Sequence, residues 1–111
     1  TVLTAQLAAL DAVKAGMSGK ALDKIARDII TEAGYGDNFG HSLGHGVGVE
    51  IHESPYSSPS REDILPENSI VTVEPGIYLE GKFGVRIEDF VVVTENGCIN
   101  MTKASKELIC L

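Results

Sequence analysis

The sequence predicts an α+β fold, with two N-terminal helices packed on a mostly antiparallel sheet. Apolar residues recur at helical spacing before Tyr35. After Tyr35 they tend to recur at every second position, as they do in strands. Turn residues such as Pro75-Gly76 and Asn96-Gly97 separate the strand-like segments. The chain of 111 residues, 43% of them hydrophobic, suits a single domain over residues 1–111.

Two helices are predicted in the N-terminal third. The first closes at Gly16 and has an apolar stripe made of Leu3, Leu7, Leu10 and Val13. The second begins after Ser18, a favourable N-cap residue, and ends at Gly34. Its apolar face is formed by Leu22, Ile25, Ala26, Ile29, Ile30 and Ala33. The two together predict a helical hairpin with one face to bury.

The first predicted strand runs from His41 to Val49 and carries glycine at alternate positions. These positions are Gly44, Gly46 and Gly48. Glycine weakens a strand, so the pattern indicates close approach of another backbone or of a ligand. His52 has the opposite parity from His41 and His45, so only a bend after Val49 would bring all three histidines to one cavity.

Further strands are predicted towards the C-terminus. A loop rich in proline, serine and charge over residues 54–68 precedes a strand over residues 69–74. The longest strand candidate covers residues 83–94. A tight turn over residues 95–97 leads into a short partner strand over residues 98–101.

Composition excludes several classes of protein. The formal charge of −7 repels a phosphate backbone, and no basic patch interleaved with aromatic residues occurs, so nucleic-acid binding is not expected. No apolar run reaches the roughly 18 residues that a membrane helix needs, and no leader-like segment precedes the first helix, so we expect a cytoplasmic protein with no membrane partner. Cys98 and Cys110 lack CxxC spacing and are expected to be buried free thiols.

Histidines and glutamates form the candidate site. Glu74 and Glu88 lie in segments rich in Val and Ile, where an ionised carboxylate is costly unless it is paired or bound to a metal. Together with His45 they are the residue types that bind divalent cations. The structural alternatives are a solvated loop position for Glu74, a satisfied core position for His41, and an ion pair between Glu88 and Arg86. If exposed, that pair is worth about 0 to 1 kcal/mol.

Four motifs in chain order then carry a resemblance. They are Phe39-Gly40-His41-Ser42-Leu43-Gly44-His45-Gly46-Val47-Gly48, Ile51-His52-Glu53-Ser54-Pro55, Val73-Glu74-Pro75-Gly76-Ile77-Tyr78 and Gly84-Val85-Arg86-Ile87-Glu88-Asp89. Through them the sequence resembles the pita-bread metallopeptidases, and within them the branch of Xaa-Pro dipeptidases and aminopeptidase P. The resemblance implies half of a pita-bread fold. Residues 1–111 would be the C-terminal half of the catalytic domain.

The resemblance also implies a cofactor and its ligands. Family members hold two divalent metal ions through two aspartates, one histidine and two glutamates, and the last three match His45, Glu74 and Glu88. The aspartates are expected upstream of this chain, because Asp23 and Asp28 lie on a predicted helix and do not match that motif. The isolated chain is therefore expected to be inactive. The oxygen-rich ligand set favours manganese, with cobalt, zinc or iron as alternatives.

Catalytic roles are implied by the same resemblance. Glu74 would be both a metal ligand and the proton shuttle for the attacking water. His52 would contact the substrate carbonyl or stabilise the tetrahedral intermediate, and His41 would shape the substrate pocket. Arg86 would fix the geometry of the ligands and offset the charge of the carboxylates.

The implied function is hydrolysis of Xaa-Pro bonds by a metal-activated water, in a small peptide with proline at its second position. The expected partners are the N-terminal half of the same catalytic domain and a second copy in a homodimer. A catalytically inactive pita-bread domain that binds peptides or proteins is an alternative, which the retained metal-type side chains disfavour. Hydrolysis of the methionine aminopeptidase or creatinase type is the other alternative.

Overall fold

Two helices cover one face of an antiparallel sheet, so the predicted α+β class is confirmed. A computed structural model describes all residues 1–111. The elements are α1 (Val2–Ala12), α2 (Gly19–Glu32), a short 3-10 helix (Gly36–Asn38), β1 (Gly44–Gly46), β2 (Glu53–Ser57), β3 (Ile70–Val73), β4 (Gly76–Leu79), β5 (Phe83–Arg86), β6 (Asp89–Val93) and β7 (Cys98–Asn100). Neither helix is long and apolar enough to cross a membrane.

The main sheet has five strands in the order β2-β1-β3-β6-β7, and β4 and β5 form a separate hairpin. All pairings are antiparallel. The core lies between this sheet and the helices, where alternate positions of the central strands are fully buried. These are Val71 and Val73 of β3 and Val91 and Val93 of β6.

Helix α2 forms as the sequence predicts. Ser18 Oγ accepts the Ala21 N–H at 3.0 Å, which satisfies one of the free amide groups of the first turn. Three positions of its predicted apolar face are fully buried: Leu22, Ala26 and Ile30. Gly34 follows the helix with a φ of +91°, a conformation in which glycine pays no steric cost.

Helix α1 buries a different face from the predicted one. Its buried positions are Val2, Ala5, Gln6 and Ala9. Leu7 is 52% exposed, and Leu3 and Leu10 are only partly buried, so Val13, which follows the helix, is the one member of the predicted stripe that is fully buried. The helix is apolar on almost every side, so its spacing does not reveal which side faces the core. The small side chains of Ala5 and Ala9 allow α2 to pack closely, which favours the observed face.

Two of the strand predictions are wrong in extent. The segment predicted as one strand over residues 41–49 pairs only at Gly44–Gly46 and then bends, and β2, which begins at Glu53, occupies the start of the predicted loop over residues 54–68. The predicted strand over residues 83–94 is divided between two sheets, with Ile87 and Glu88 between β5 and β6. Alternation continues through this break, so the pattern alone does not show it. The predicted turn before β7 is confirmed, since Thr94 N–H donates to Gly97 O at 2.9 Å.

The predicted reason for the alternating glycines, close approach of another backbone, is confirmed for Gly44 and Gly46 of β1, whereas a Cβ atom on Gly48 would meet the Glu53 side chain. A Cβ atom on Gly44 would lie 1.9 Å from Thr72 O, and one on Gly46 would lie 2.4 Å from Ser54 O. Both distances are far below any real carbon–oxygen contact, so each position must be glycine for its neighbouring strand to approach. The bare face of β1 therefore packs directly on backbone.

Candidate active site

His45 and Glu74 are brought together by neighbouring strands of the main sheet. His45 is the central residue of β1, and Glu74 directly follows β3, which pairs with β1. The Glu74 N–H donates to Leu43 O at 2.8 Å, so the end of β3 is tied to the segment before β1. Glu74 is 7% exposed, and the solvated loop position considered for it is wrong.

His45 Nε2 lies 3.0 Å from Glu74 Oε1. The other ring nitrogen of His45, Nδ1, is 2.9 Å from Gly46 O, and because a carbonyl oxygen only accepts, Nδ1 carries the hydrogen. In the neutral imidazole, Nε2 then directs a lone pair at a carboxylate oxygen. Two acceptors at this distance are stable only if they share a proton or a cation.

The nitrogen and oxygen atoms that meet in this pair are both suitable ligands for a divalent cation. Imidazole nitrogen and carboxylate oxygen bind such ions at about 2.0 to 2.2 Å, so two ligands at right angles are about 3 Å apart. The observed separation of 3.0 Å between His45 Nε2 and Glu74 Oε1 agrees with that value. However, no group of three or more His, Cys, Asp or Glu side chains in the chain is arranged to hold a metal ion. The predicted set of His45, Glu74 and Glu88 is thus only partly assembled, and its metal role stays a prediction.

Glu88 lies beside this pair without joining it. Its carboxyl group is partly removed from solvent although the residue as a whole is exposed. This partial burial, followed by the negative charge of Glu74, raises the pKa of Glu88 above its usual value, against the opposing effects of Arg86, His45 and His52. Glu88 shares a cavity with Arg86, which also contacts Glu74, so Glu88 lies beside the site.

Arg86 contacts a different carboxylate from the one considered in the sequence. Its Nη1 donates to Glu74 Oε2 at 3.3 Å, whereas no ion pair joins Arg86 to Glu88. The reason is the break after β5: Arg86 and Glu88 do not lie on one continuous strand face. Arg86 is therefore positioned to fix the orientation of the Glu74 carboxylate.

The three histidines converge as the predicted bend requires. The chain bends over residues 48–52 and returns His52 to His45, with ring centroids 4.3 Å apart. A cavity of 230 Å³ is lined by His41, Ser42, Gly44, His45, His52, Tyr56, Glu74 and Arg86. All predicted catalytic and substrate-contacting residues thus line one cavity, whereas Glu88 lines an adjoining cavity that also includes Arg86.

Sequence reasoning missed three residues that shape this site. Thr72 Oγ1 donates to Glu74 Oε1 at 2.8 Å and accepts the His45 N–H at 3.0 Å. Tyr78 Oη lies 2.7 Å from His41 Nε2, and Tyr56 lines the cavity. Thr72 could have been found, because it shares a strand face with Glu74 and is polar between two buried valines. Nothing in the local sequence indicates the other two contacts.

Comparison with known proteins identifies the family. Residues 1–95 match the sequence profile of metallopeptidase family M24. The chain belongs to this family. It is similar to the Xaa-Pro dipeptidase of Pyrococcus furiosus, with 56% identity over 108 residues, which cover 97% of this chain and 31% of that protein.

Solved structures of M24 relatives have the same fold. The chain is similar to an X-Pro aminopeptidase from Thermotoga maritima, with 57% identity and a TM-score of 0.91 over 96% of this chain and 30% of that one. It is also similar to an Xaa-Pro dipeptidase from Bacillus anthracis, with 52% identity and a TM-score of 0.96 over 99% of this chain and 31% of that one. The architecture is therefore half of the pita-bread fold, and the chain spans about a third of the length of these relatives.

Proposed function

We propose that the complete enzyme containing this chain hydrolyses the Xaa-Pro bond of small peptides. The contact between His45 Nε2 and Glu74 Oε1, at 3.0 Å in a cavity lined by two further histidines and an arginine, carries the proposal. The names of the relatives, which include Xaa-Pro dipeptidases and an X-Pro aminopeptidase, supply the substrate class. Residues 1–111 would be the C-terminal half of the catalytic domain.

His45, Glu74 and Glu88 would hold the metal ions in this enzyme, together with two aspartates from outside this chain. We propose a pair of divalent ions, with manganese favoured by the oxygen-rich ligands and cobalt, zinc or iron as alternatives. When bound, such ions lower the pKa of a water molecule and polarise the scissile carbonyl. The side chains of this chain supply the remaining steps.

Glu74 is positioned to move the proton. Its carboxylate would accept a proton from the attacking water and pass it to the proline nitrogen when the C–N bond breaks. The hydroxyl group of the water is then found on the carbonyl carbon of one product and its proton on the nitrogen of the other. Arg86, at 3.3 Å from Glu74 Oε2, would hold that carboxylate oxygen in place. The hydroxyl of Thr72 would hold its other oxygen in place.

The histidines would orient the peptide. His52 lies at the exposed side of the cavity and would donate to the substrate carbonyl oxygen as negative charge develops there. His41, half-buried against Phe39 and Tyr78, would form a wall of the substrate pocket. These assignments agree with the roles implied by the sequence resemblance.

The experiment that tests the function uses the complete polypeptide that contains this chain. Purified with Mn²⁺, it should hydrolyse Ala-Pro, and Glu74→Gln should lower kcat by a factor of about 10² to 10⁴, the usual contribution of a positioned proton-transfer group. Glu80→Gln, a change at an exposed carboxylate outside the cavity, is the matched control and should retain activity. Activity unchanged by Glu74→Gln would contradict the proposed role.

A second assay separates the alternatives. An inactive peptide-binding domain would bind Ala-Pro in calorimetry without releasing proline, and a creatinase-type enzyme would release urea from creatine. A methionine aminopeptidase would prefer a peptide with N-terminal methionine to Ala-Pro. Faster turnover of Ala-Pro than of creatine and of the peptide with N-terminal methionine supports the proposed function.

We also propose that an apolar groove of 370 Å³ is covered in the complete enzyme by the N-terminal half of the catalytic domain. The groove lies between the start of α1, the β4–β5 hairpin and the C-terminal segment, and it includes the exposed Phe83, Val85 and Leu108. Exposed apolar surfaces of this kind mark contacts. The isolated chain should therefore self-associate, and light scattering that shows a strictly monomeric folded chain would contradict the covered groove.

The isolated chain should also show no peptidase activity, because the two proposed aspartate ligands lie outside it. A homodimer of the complete enzyme and a cytoplasmic location remain predictions.

A further inference from the structure

We propose that Arg27, held by Asp23, is a positioning residue that sets the place of His41 in the substrate cavity. Both residues lie on α2, outside the site described above, and the function proposed for that site gives them no role. The inference rests on the proposed function, since it assigns the pair to the same reaction. It stands on four hydrogen bonds of one guanidinium group and one hydrogen bond of its carboxylate partner.

Asp23 and Arg27 form a two-pronged ion pair one helical turn apart. Arg27 Nε donates to Asp23 Oδ2 at 2.6 Å, and Arg27 Nη2 donates to Asp23 Oδ1 at 2.9 Å. The Asp23 side chain is 1% exposed and that of Arg27 is 24% exposed. A buried carboxylate in this geometry fixes the guanidinium plane, because two parallel bonds leave it no freedom to rotate.

The remaining hydrogen bonds of the pair all go to the backbone of the segment that carries His41. Arg27 Nη1 donates to Phe39 O, and Arg27 Nη2 donates to His41 O, both at 2.8 Å. Asp23 Oδ1 accepts the Leu43 N–H at 2.9 Å. The pair thus binds every second residue of an irregular segment, residues 39–43, which belongs to no strand and whose bond to the main sheet is that of Leu43 O with the Glu74 N–H. These bonds replace the ladder that a strand would supply.

Aromatic packing extends this hold to the imidazole itself. The Arg27 guanidinium lies 4.1 Å from the centroid of the Phe39 ring, and this ring packs edge-on with that of His41, with centroids 5.1 Å apart. His41 Nδ1 is 2.8 Å from Ser42 O and therefore carries the hydrogen. Its Nε2 then accepts from Tyr78 Oη at 2.7 Å. These contacts fix the backbone, the ring plane and the tautomer of His41. Its backbone and its ring plane depend on Arg27.

A lysine cannot replace this arginine. Its single ammonium could bind Asp23, but it lacks the planar fork that binds a carboxylate and two carbonyl groups together. Loss of the fork would release the carbonyl groups of Phe39 and His41, and a displacement of about 1 Å in a positioning group can cost a factor of about 10² in rate. Helix α2 itself would lose only one ion pair.

A double-mutant cycle tests the proposal in the complete enzyme. Arg27→Ala and His41→Ala should each lower kcat/KM for Ala-Pro by about tenfold or more. The kcat/KM of the double variant should be no more than about threefold below that of the less active single variant, because both residues act through one imidazole. Lys24→Ala is the matched control, since Lys24 lies on the same helix and pairs only with the exposed Asp28. It should retain wild-type kcat/KM. Multiplicative losses in the double variant would overturn the proposal.

A structural role alone is distinguished by the kinetics of folded protein. Arg27→Lys, which keeps the charge beside Asp23, should remain folded by circular dichroism and still lose most of the activity lost by Arg27→Ala. If the alanine variant does not fold, the lysine variant takes its place in the cycle. Wild-type activity in a folded Arg27→Lys protein would overturn the proposal.

A spectroscopic measurement separates this inference from the proposed function. In protein labelled with ¹⁵N-histidine, long-range correlation spectra should show His41 as the single Nδ1–H tautomer, and Arg27→Lys should shift the ring resonances of His41, because the ring changes its position against Phe39 and Tyr78. An unchanged His41 spectrum in Arg27→Lys would overturn the positioning role. If the wild-type enzyme does not cleave Ala-Pro but the spectra change as described, the proposed function fails while the positioning of His41 by Arg27 stands.

Discussion

Thr72 donates its hydroxyl hydrogen to Glu74 across 2.8 Å, and the same oxygen accepts the backbone N–H of His45 across 3.0 Å. One buried side chain of β3 therefore links the two residues that meet in the cavity. Thr72 is fully buried, so neither bond competes with water. The distance between His45 and Glu74 depends on this hydroxyl as much as on the sheet itself.

Replacement of Thr72 tests this link. Thr72→Val keeps the shape of the side chain but leaves the His45 N–H without its acceptor and removes the hydroxyl that donates to Glu74 Oε1, so we expect the free energy of unfolding to fall by about 1 to 3 kcal/mol. Thr72→Ser keeps the hydroxyl and should retain more of the activity towards Ala-Pro than Thr72→Val. Denaturant unfolding and kcat measurements check both variants. Equal activity of the two would show that the hydroxyl does not orient Glu74.

The sequence revealed those parts of the site that depend on local pattern. The alternating glycines correctly indicated that β1 packs on backbone, and the parity of His52 correctly required a bend before it reached His45. Helix α2 could be predicted because its apolar face, N-cap and terminal glycine agree. Each of these features can be recognised within a few residues.

The parts that the sequence did not reveal depend on distant contacts. Arg27 bonds to backbone oxygens 12 and 14 residues away, and the Tyr78 hydroxyl bonds to a ring 37 residues away. No local pattern encodes such a partner. The break at Ile87-Glu88 was missed for a different reason: alternation is the same on both sides, and only the pairing of β5 with β4 rather than with the main sheet separates them.

Substitution of glycine in β1 is expected to be severe. In Gly44→Ala, the new Cβ would lie 1.9 Å from Thr72 O, a rigid backbone atom, so β1 and β3 would have to separate. Overpacking in a core costs about 1 to 3 kcal/mol and occasionally more, and we expect the upper part of this range. Gly40→Ala is the matched control, since nothing lies within 4 Å of its Cβ position and its φ is not positive. Thermal unfolding of both variants checks the difference.

An exposed or flexible β1 would give the opposite result. If Gly44→Ala and Gly40→Ala unfolded at the same temperature, the close approach of β1 to β3 would be wrong. The same comparison bears on the active site, because separation of these strands would move His45 away from Glu74. Gly44→Ala should therefore lose activity under conditions in which Gly40→Ala is fully active.

Gln6 offers a route to a more stable protein. It is fully buried in α1, and neither its side-chain oxygen nor its side-chain nitrogen has a hydrogen-bond partner in the chain. Burial of an unpaired amide is unfavourable, whereas methionine has a similar length and no such group. Gln6→Met should raise the free energy of unfolding by about 1 kcal/mol. Leu7→Met, at an exposed position of the same helix, should change it by less than about 0.5 kcal/mol.

Denaturant titration of the two methionine variants decides this point. A fall in stability for Gln6→Met would mean that the amide has a partner that stabilises it, such as an internal water or a residue of the complete enzyme. Gln6→Glu should be less stable than either variant at neutral pH, because it would bury a charge.

The two cysteines should differ in reactivity and in their effect on stability. Burial, and then the negative charge of Asp89, raise the pKa of the Cys98 thiol, whereas Cys110 is exposed, so the predicted burial of both free thiols is wrong for Cys110. Because the thiolate is the reactive species, iodoacetamide should modify Cys110 several-fold faster than Cys98 near pH 8. Peptide mapping after timed alkylation gives the two rates. Equal rates would contradict the partial burial of Cys98, whose sulfur atom lies 3.5 Å from the carbonyl oxygen of Leu10.

The same shift in pKa predicts how stability depends on pH. The folded-state pKa of Cys98 lies above the unfolded value of about 8.5, so the neutral thiol favours the folded state. Its contribution is fully present below that unfolded value and is lost as the pH rises through the folded-state pKa. Thermal unfolding of a Cys110→Ser protein should therefore show a fall in Tm above about pH 8.5 that is smaller in the Cys98→Ala, Cys110→Ser double variant. An identical fall in both proteins would assign it to other groups and contradict the effect of Cys98.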